Sequence, residues 1–270
     1  MLLGGFDGLH VGHRRLLSRA KESGLPVGIM TIVGGKEEKG LFTFAERETV
    51  FQEEGADFVF ELPFPEIKEM SPDAFLDLLR VSFSPKLFVC GEDFRFGAKA
   101  KGSPDSIKAW GQVCVEVISL VEIFGEKVSS RNVKTLLEQG KVQQANELLG
   151  APFFLMGTVI KERGVGRTIG FPTANIVYPK DKFPIKQGVY ETQTSVDGKL
   201  YKGITNYGGR PTFENDEVRA ETYLDGFFGD LYGKTLKVEF VRYLRDVRRF
   251  ATVEDLQAQL TKDIRQVRGQ

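Results

Sequence analysis

The sequence predicts an α/β domain built on a parallel sheet, followed by a small antiparallel β-barrel with a terminal helix. Two observations predict this α/β + β fold. In the first part of the 270-residue chain, short apolar segments alternate with helical patterns, as in a doubly wound sheet. After Gly150, strand-like segments follow one another with little helix between them. We therefore predict domains over residues 1–150 and 151–270, joined through the helical stretch GKVQQANELLGAP.

Four segments of the first part are short, β-branched and apolar on both faces, which favours buried parallel strands. They are VGIMTIV (27–33), DFVFEL (57–62), KLFVCG (86–91) and VCVEVISL (113–120). Cys90 and Cys114 lie in these segments and are expected to be small core residues. Leu2 and Leu3 end a fifth strand. We expect this strand to be poorly paired because it is so short, and a truncated start of the chain would explain its length.

Helices are predicted between these strands, over residues 12–22, 44–54 and 72–81. The third has a clear start. Ser71 suits the N-cap, Pro72 suits the first turn, and the negative charge of Asp73 complements the helix dipole.

The second part contains five strand-like segments and a final helix over residues 253–267. In the last strand Leu236, Val238 and Phe240 alternate with charged residues, which predicts one buried face. Asp197-Gly198 between two of the segments predicts a tight hairpin. The segments are FFLMGTVI (153–160), GVYETQTSV (188–196), KLYKGITNY (199–207), VRAETYL (218–224) and TLKVEFVRYL (235–244).

Composition argues against several classes of protein. A hydrophobic fraction of 41% and a charged fraction of 27% are typical of a globular protein. The net charge of zero does not favour a nucleic-acid partner. No apolar run suits a transmembrane helix, and no basic leader precedes an apolar core. The two cysteines lack metal-ligand spacing and suit a reducing compartment, so we expect a cytoplasmic protein with no membrane partner. The sequence does not specify an oligomeric state.

The segment GGFDGLHVGH (4–13) holds both histidines of the chain, His10 and His13. A strand end, a glycine-rich turn and a helix start follow one another here, and such helix starts bind phosphates at the carboxyl edge of a parallel sheet. Residues three apart share a helix face, so both imidazoles can stabilise charge that develops at an α-phosphate. A surface histidine pair and half of a metal site are the alternatives, although a metal would need further ligands.

Ordered motifs give the chain a family resemblance over essentially its whole length. It resembles the bacterial bifunctional riboflavin kinase/FMN adenylyltransferase (FAD synthetase) family. The resemblance implies a Rossmann-like nucleotidyltransferase domain and a C-terminal kinase barrel, with ATP, riboflavin and FMN as substrates and Mg²⁺ as cofactor. The motifs are GGFDGLHVGH, GEDFRFG (91–97), VSSRNVK (128–134), GRTIGFPTAN (166–175), NYGGRPTF (206–213) and DLYGKTL (230–236).

In the first domain, the motif GEDFRFG follows a predicted strand, where a ligand loop belongs. Phe94 and Phe96 either flank a bound ring or fill the core, and Asp93 and Arg95 can hold polar edges. The resemblance favours contact with nucleotide and flavin, and makes the two histidines catalytic. The binding residues implied for this domain are Gly5, Phe6, Asp7, Gly8, Asp93, Phe94, Arg95, Ser129, Ser130 and Lys134.

The motif VSSRNVK predicts a capped helix over residues 132–139, with Ser129 or Ser130 as the cap and Lys134 as a charge for an ATP phosphate. An ordinary surface helix is the alternative. Relatives usually carry Arg at this last position, and Lys lacks its bidentate fork. The loop at residues 31–40 also lacks the family's proline. Two other functions therefore stay open: a riboflavin kinase with a degenerate flavin- or nucleotide-binding first domain, and a single-activity nucleotidyltransferase with another acceptor.

In the second domain, Thr173 and Asn175 supply neutral oxygens that suit Mg²⁺. Strand alternation points Glu221 away from Ala220 and Thr222, and a glutamate so placed is either solvated or a base for a hydroxyl group. The resemblance makes Glu221 that base and assigns Mg–ATP to Thr173 and Asn175. Gly164, Gly166 and Arg167 either form a flap over the phosphates or belong to a glycine-rich barrel turn. Asn206 is a further binding candidate, and Arg210 and Arg245 are either ligand or structural residues.

Overall fold

The computed structural model describes residues 1–35, 39–161, 166, 169–209 and 218–269. The chain forms two compact units by internal contacts. The first comprises Met1–Asn132 and Asp181–Phe183, and the second comprises Val133–Lys180 and Pro184–Gln270. The first unit is thus discontinuous in sequence. The predicted domain boundary at residue 150 stays a prediction.

The first unit contains a five-stranded parallel sheet, which confirms the predicted α/β class. Its strands are β1 (Leu2–Leu3), β2 (Gly28–Val33), β3 (Phe58–Pro63), β4 (Leu87–Gly91) and β5 (Cys114–Ile118), in the order β3-β2-β1-β4-β5. A small hairpin of β6 (Glu122–Ile123) and β7 (Glu126–Lys127) follows. The helices are α1 (Val11–Lys21), α2 (Phe44–Glu53), α3 (Phe64–Ile67), α4 (Pro72–Phe83) and α5 (Pro104–Trp110).

Strand β1 is short but central and is paired on both sides. Leu2 pairs with Ile29 of β2 and with Val89 of β4, and Leu3 pairs with Cys90. The expectation of poor pairing was therefore wrong. The two leucines point to opposite faces of the sheet, where each belongs to a separate buried apolar cluster.

The edge strands β3 and β5 depart from the predicted burial. Phe58 at the start of β3 is 54% exposed, and Cys114 at the start of β5 is exposed, whereas Cys90 in β4 is buried. The prediction that both cysteines fill the core was wrong for Cys114. Apolar composition alone does not distinguish an edge strand from a central one, because that depends on the strand order.

The second unit contains a six-stranded antiparallel sheet in the order β8-β13-β10-β11-β12-β9. The N–H of Ile160, just beyond β8, donates to the Asn175 carbonyl in β9 at 2.9 Å. The two edges therefore meet, and the sheet curls as the predicted barrel requires. Its elements are α6 (Ser130–Glu138), whose first turn lies in the first unit, α7 (Val142–Leu149), β8 (Phe153–Thr158), β9 (Thr173–Val177), β10 (Gly188–Val196), β11 (Lys199–Gly209), β12 (Val218–Leu224), β13 (Thr235–Arg245) and α8 (Val253–Arg268).

Local signals in this unit are confirmed. Asp197 and Gly198, with φ of 50° and 78°, turn the β10–β11 hairpin. Leu236, Val238 and Phe240 are at most 3% exposed. Strand β9 was not predicted, because its glycine- and proline-rich approach suggested a ligand loop. None of the described helices is both long enough and apolar enough to cross a membrane.

Candidate active sites

The turn between β1 and α1 is shaped by close packing. Phe6 adopts a φ of 41° and is 1% exposed, with its ring 4.4 Å from that of His13. A Cβ at Gly8 would lie 2.9 Å from the Phe42 ring, so this position requires glycine. The Asp7 carboxylate accepts the Leu41 N–H at 2.8 Å. The turn therefore packs against aromatic rings and is hydrogen-bonded to the segment that precedes α2.

His10 and His13 lie against each other at the start of α1. His10 is the N-cap, and its Nδ1 accepts the His13 backbone N–H at 3.2 Å. The His13 Nδ1 lies 2.7 Å from the Gly8 carbonyl oxygen, which can only accept, so this nitrogen carries a proton. The two rings stack with centroids 3.7 Å apart. The neutral pair thus presents an N–H at Nε2 of His10 and a lone pair at Nε2 of His13.

Both imidazoles are neutral near pH 7 in this environment. Burial lowers the pKa of His10 to about 4, although Asp93 opposes the shift. Burial, together with the neighbouring His10, lowers the pKa of His13 well below its usual value. A bound polyanion would raise both pKa values, because a nearby negative charge favours the imidazolium form.

A cavity of about 1300 Å³ in the first unit brings together most of the site residues predicted for this half. The two histidines line it beside the Gly4–Gly8 turn and the GEDFRFG loop. The predicted residues on its wall are Gly5, Phe6, Asp7, His10, His13, Phe94, Arg95 and Ser130.

The two phenylalanines of the GEDFRFG loop differ in burial. Phe96 is 6% exposed and belongs to the core, whereas Phe94 is partly buried and stacks on it with ring centroids 5.3 Å apart. Asp93 forms an ion pair with Lys127. An Arg95 Nη1 donates to the Phe94 carbonyl at 2.8 Å. One phenylalanine therefore supports the other at the cavity wall.

Ser129 caps α6 as predicted, since its Oγ accepts the Asn132 N–H at 3.3 Å. The helix begins at Ser130, two residues earlier than predicted from the sequence. Lys134 falls in the second unit and is 6% exposed.

Three buried charged groups of the first unit, those of Arg47, Glu46 and Lys182, were missed by the sequence reasoning. Arg47 in α2 is 8% exposed and lines the cavity. Lys182 is fully buried and bonded to Glu46 at 2.5 Å. The capping-box pattern of Thr43 and Glu46 is visible in the sequence, but nothing local indicates the distant Lys182 as a partner.

In the second unit, three predicted site residues form a row across adjacent strands. Glu221 in β12 pairs directly with Asn206 in β11 and with Asn175 in β9. Residues paired in this way share a face of the sheet. Ala220 and Thr222 on the opposite face are fully buried, which confirms the expected alternation.

The donor set around Asn175 fits a hydrated divalent cation. Asn175 is 6% exposed, and within the described part of the chain its Oδ1 has no hydrogen-bond partner. Thr173 lies two residues earlier on the same strand face. Gly166 lies close to the Thr173 hydroxyl, since a Cβ at this glycine would be 3.5 Å from Oγ1. Neutral oxygens beside a carboxylate suit Mg²⁺ that keeps water and phosphate ligands.

A smaller cavity of about 290 Å³ opens beside Thr173 and was not foreseen from the sequence. Pro172, Leu224, Phe227 and Tyr232 contribute to its largely apolar wall. Such a wall suits a flat heteroaromatic ring.

Arg245 has a structural role. It forms a bidentate pair with Asp263 of α8, with Nη2 to Oδ2 at 2.7 Å, and both side chains are at most 12% exposed. This pair fixes α8 on the sheet. Gly164, Arg167 and Arg210 lie outside the described residues.

In comparison with known proteins, the two parts of the chain match two different family models. The riboflavin kinase family model matches residues 149–270, and the FAD synthetase family model matches residues 1–132. A solved structure from Streptococcus pneumoniae, named macrolide-efflux protein, is 29% identical, with a TM-score of 0.88 over 100% of this chain and 93% of its own.

Two curated relatives are both named bifunctional riboflavin kinase/FMN adenylyltransferase. The Bacillus subtilis protein is 34% identical over 97% of this chain and 89% of its own length. The Listeria monocytogenes protein is 31% identical over 100% of this chain and 91% of its own. Similarity of this extent shows that the chain belongs to the bifunctional riboflavin kinase/FMN adenylyltransferase family.

Proposed function

We propose that the chain phosphorylates riboflavin with ATP to give FMN, and then adenylylates FMN with ATP to give FAD and pyrophosphate. We assign adenylylation to residues 1–150 and phosphorylation to residues 151–270. One observation carries the proposal: each unit gathers its own set of chemically suitable residues, a histidine pair in one and the Asn175–Glu221–Asn206 row in the other.

For adenylylation, an oxygen of the FMN phosphate attacks the α-phosphorus of ATP, and pyrophosphate leaves. His10 donates from Nε2 to a phosphoryl oxygen. His13, protonated once the triphosphate raises its pKa, donates from its own Nε2. The start of α1 adds its dipole. No covalent intermediate is required, because catalysis rests on positioning and charge stabilisation.

For phosphorylation, the primary hydroxyl of riboflavin attacks the γ-phosphorus of ATP, and ADP leaves. Glu221 accepts the hydroxyl proton. Thr173 and Asn175 would hold Mg²⁺, which when bound neutralises phosphate charge. The apolar cavity beside Thr173 would take the adenine ring. Asn206 lies beside Glu221, as its paired residue on the neighbouring strand.

The flavin products test this proposal directly. The protein is incubated with riboflavin, ATP and Mg²⁺, and the flavins are separated by chromatography. We expect FMN to appear first and FAD to follow. FMN without FAD would instead indicate a kinase with a degenerate first domain. Absence of both products would remove the proposal and favour a single-activity nucleotidyltransferase with another acceptor.

Glu221→Gln should lower the rate of FMN formation by roughly 100- to 10,000-fold, the usual contribution of a general base. FAD formation from supplied FMN should be unchanged, because the histidine pair belongs to the other unit. Initial rates of both reactions check this. The control is Glu254→Gln, an exposed residue in the first turn of α8, which should leave both rates unaltered. Full kinase activity in the Glu221 variant would exclude this residue as the base.

A further inference from the structure

Arg47 is a buried cation on the wall of the histidine cavity. It is 8% exposed. Its Nη1 donates to the Thr31 hydroxyl at 2.8 Å, and that hydroxyl donates to the Gly5 carbonyl at 3.3 Å. The guanidinium is therefore linked through one side chain to the Gly4–Gly8 turn, which precedes the histidines.

No carboxylate neutralises this guanidinium at close range. Across the described part of the chain, no acidic group lies within 4.0 Å of it, and its buried Nε has no acceptor. Asp7, Glu61 and Asp181 act on it only from farther away, and burial lowers its pKa. A buried charge without a close counter-ion is costly. Arg47 also faces a cavity, so an anionic ligand can supply the missing partner.

The reaction proposed for this cavity brings two phosphate-bearing molecules together. The start of α1 and the histidines provide a place for one of them, the triphosphate. The second anion needs its own cation, because two polyanions repel each other when water is excluded. We propose that Arg47 binds the phosphate monoester of the flavin substrate and so holds the attacking oxygen for adenylylation. This assignment rests on the function proposed above.

Kinetics of adenylylation test the assignment, with FMN and ATP varied separately. Arg47→Gln should raise the KM for FMN by roughly 10- to 100-fold, as expected for loss of a charged hydrogen bond. The KM for ATP and the rate of FMN formation should stay within about 2-fold of the parent values. Arg47→Lys should recover much of the affinity for FMN, since it restores the charge without the fork. Arg15→Gln, an exposed arginine on α1, is the matched control and should change neither KM.

The other outcomes are decisive. A rise in the KM for ATP alone would place Arg47 on the triphosphate and overturn the assignment. A fall in kcat with both KM values unchanged, and no recovery with Lys, would mean that Arg47 does not contribute to FMN binding, which overturns the assignment. If the parent protein forms no FAD, the proposed function fails; if it forms FAD and Arg47→Gln behaves like the parent, only the role of Arg47 fails.

Discussion

His13→Ala should lower FAD formation by roughly 100- to 1,000-fold while leaving FMN formation intact. Removing one preorganised donor to a developing charge costs this much in other enzymes. The His13 ring is held in place by the Gly8 carbonyl, the Phe6 ring and the stack with His10, so it is preorganised as such a donor. The measurement is the initial rate of each reaction, with FMN supplied for the second.

Ser18→Ala, an exposed position on the same helix, is the control for this substitution and should affect neither rate. Thermal unfolding should show that the His13 variant is folded. Equal loss of both activities in a folded variant would contradict separate sites. A small loss of FAD formation would assign the charge stabilisation to the helix start and His10.

Lys182→Met should destabilise the first unit by about 3–5 kcal/mol, the usual cost of removing one partner of a buried ion pair. Lys182 and Glu46 are at most 1% exposed, and the ammonium also lies 4.4 Å from the Phe42 ring centroid. Without the lysine, the Glu46 carboxylate loses this charged partner. Urea unfolding should be monitored separately through the adenylylation activity and the kinase activity. The urea midpoint should be lower for adenylylation alone.

A double variant separates this charge effect from simple loss of packing. Glu46→Gln combined with Lys182→Met keeps a side chain able to cap α2 and removes the buried carboxylate. It should recover most of the lost stability, because replacing both partners of a buried pair is often nearly neutral. The exposed Lys180→Met is the control. If the double variant is less stable than Lys182→Met alone, the ion pair is not the source of the effect.

Much of the fold could be predicted from local patterns. The N-cap at Ser71 and the turn at Asp197-Gly198 each depend on a few neighbouring residues, and both are confirmed. Features that depend on strand order could not be predicted. Cys114 lies in an apolar segment of the sequence but is exposed, because that segment forms an edge strand. Strand β9 forms because β12 provides a pairing partner.

Some residues of the candidate sites could likewise be predicted from local patterns, whereas others could not. The histidine pair stands out because the chain has no other histidines and because the glycines around it have a known use. Arg47 looks like any other charge of an amphipathic helix until its burial is known. The Asn175–Glu221–Asn206 row depends on strand register, which the sequence alone did not specify.

The discontinuous first unit has a consequence for folding during synthesis. Glu46 is made early, but Lys182 is made 136 residues later. Until the ribosome has released that lysine, the nascent amino-terminal sheet lacks one partner of this buried ion pair. The α2 region should therefore mature only after much of the barrel sequence has emerged, and nascent chains stopped before Lys182 should be cleaved there more readily by proteases.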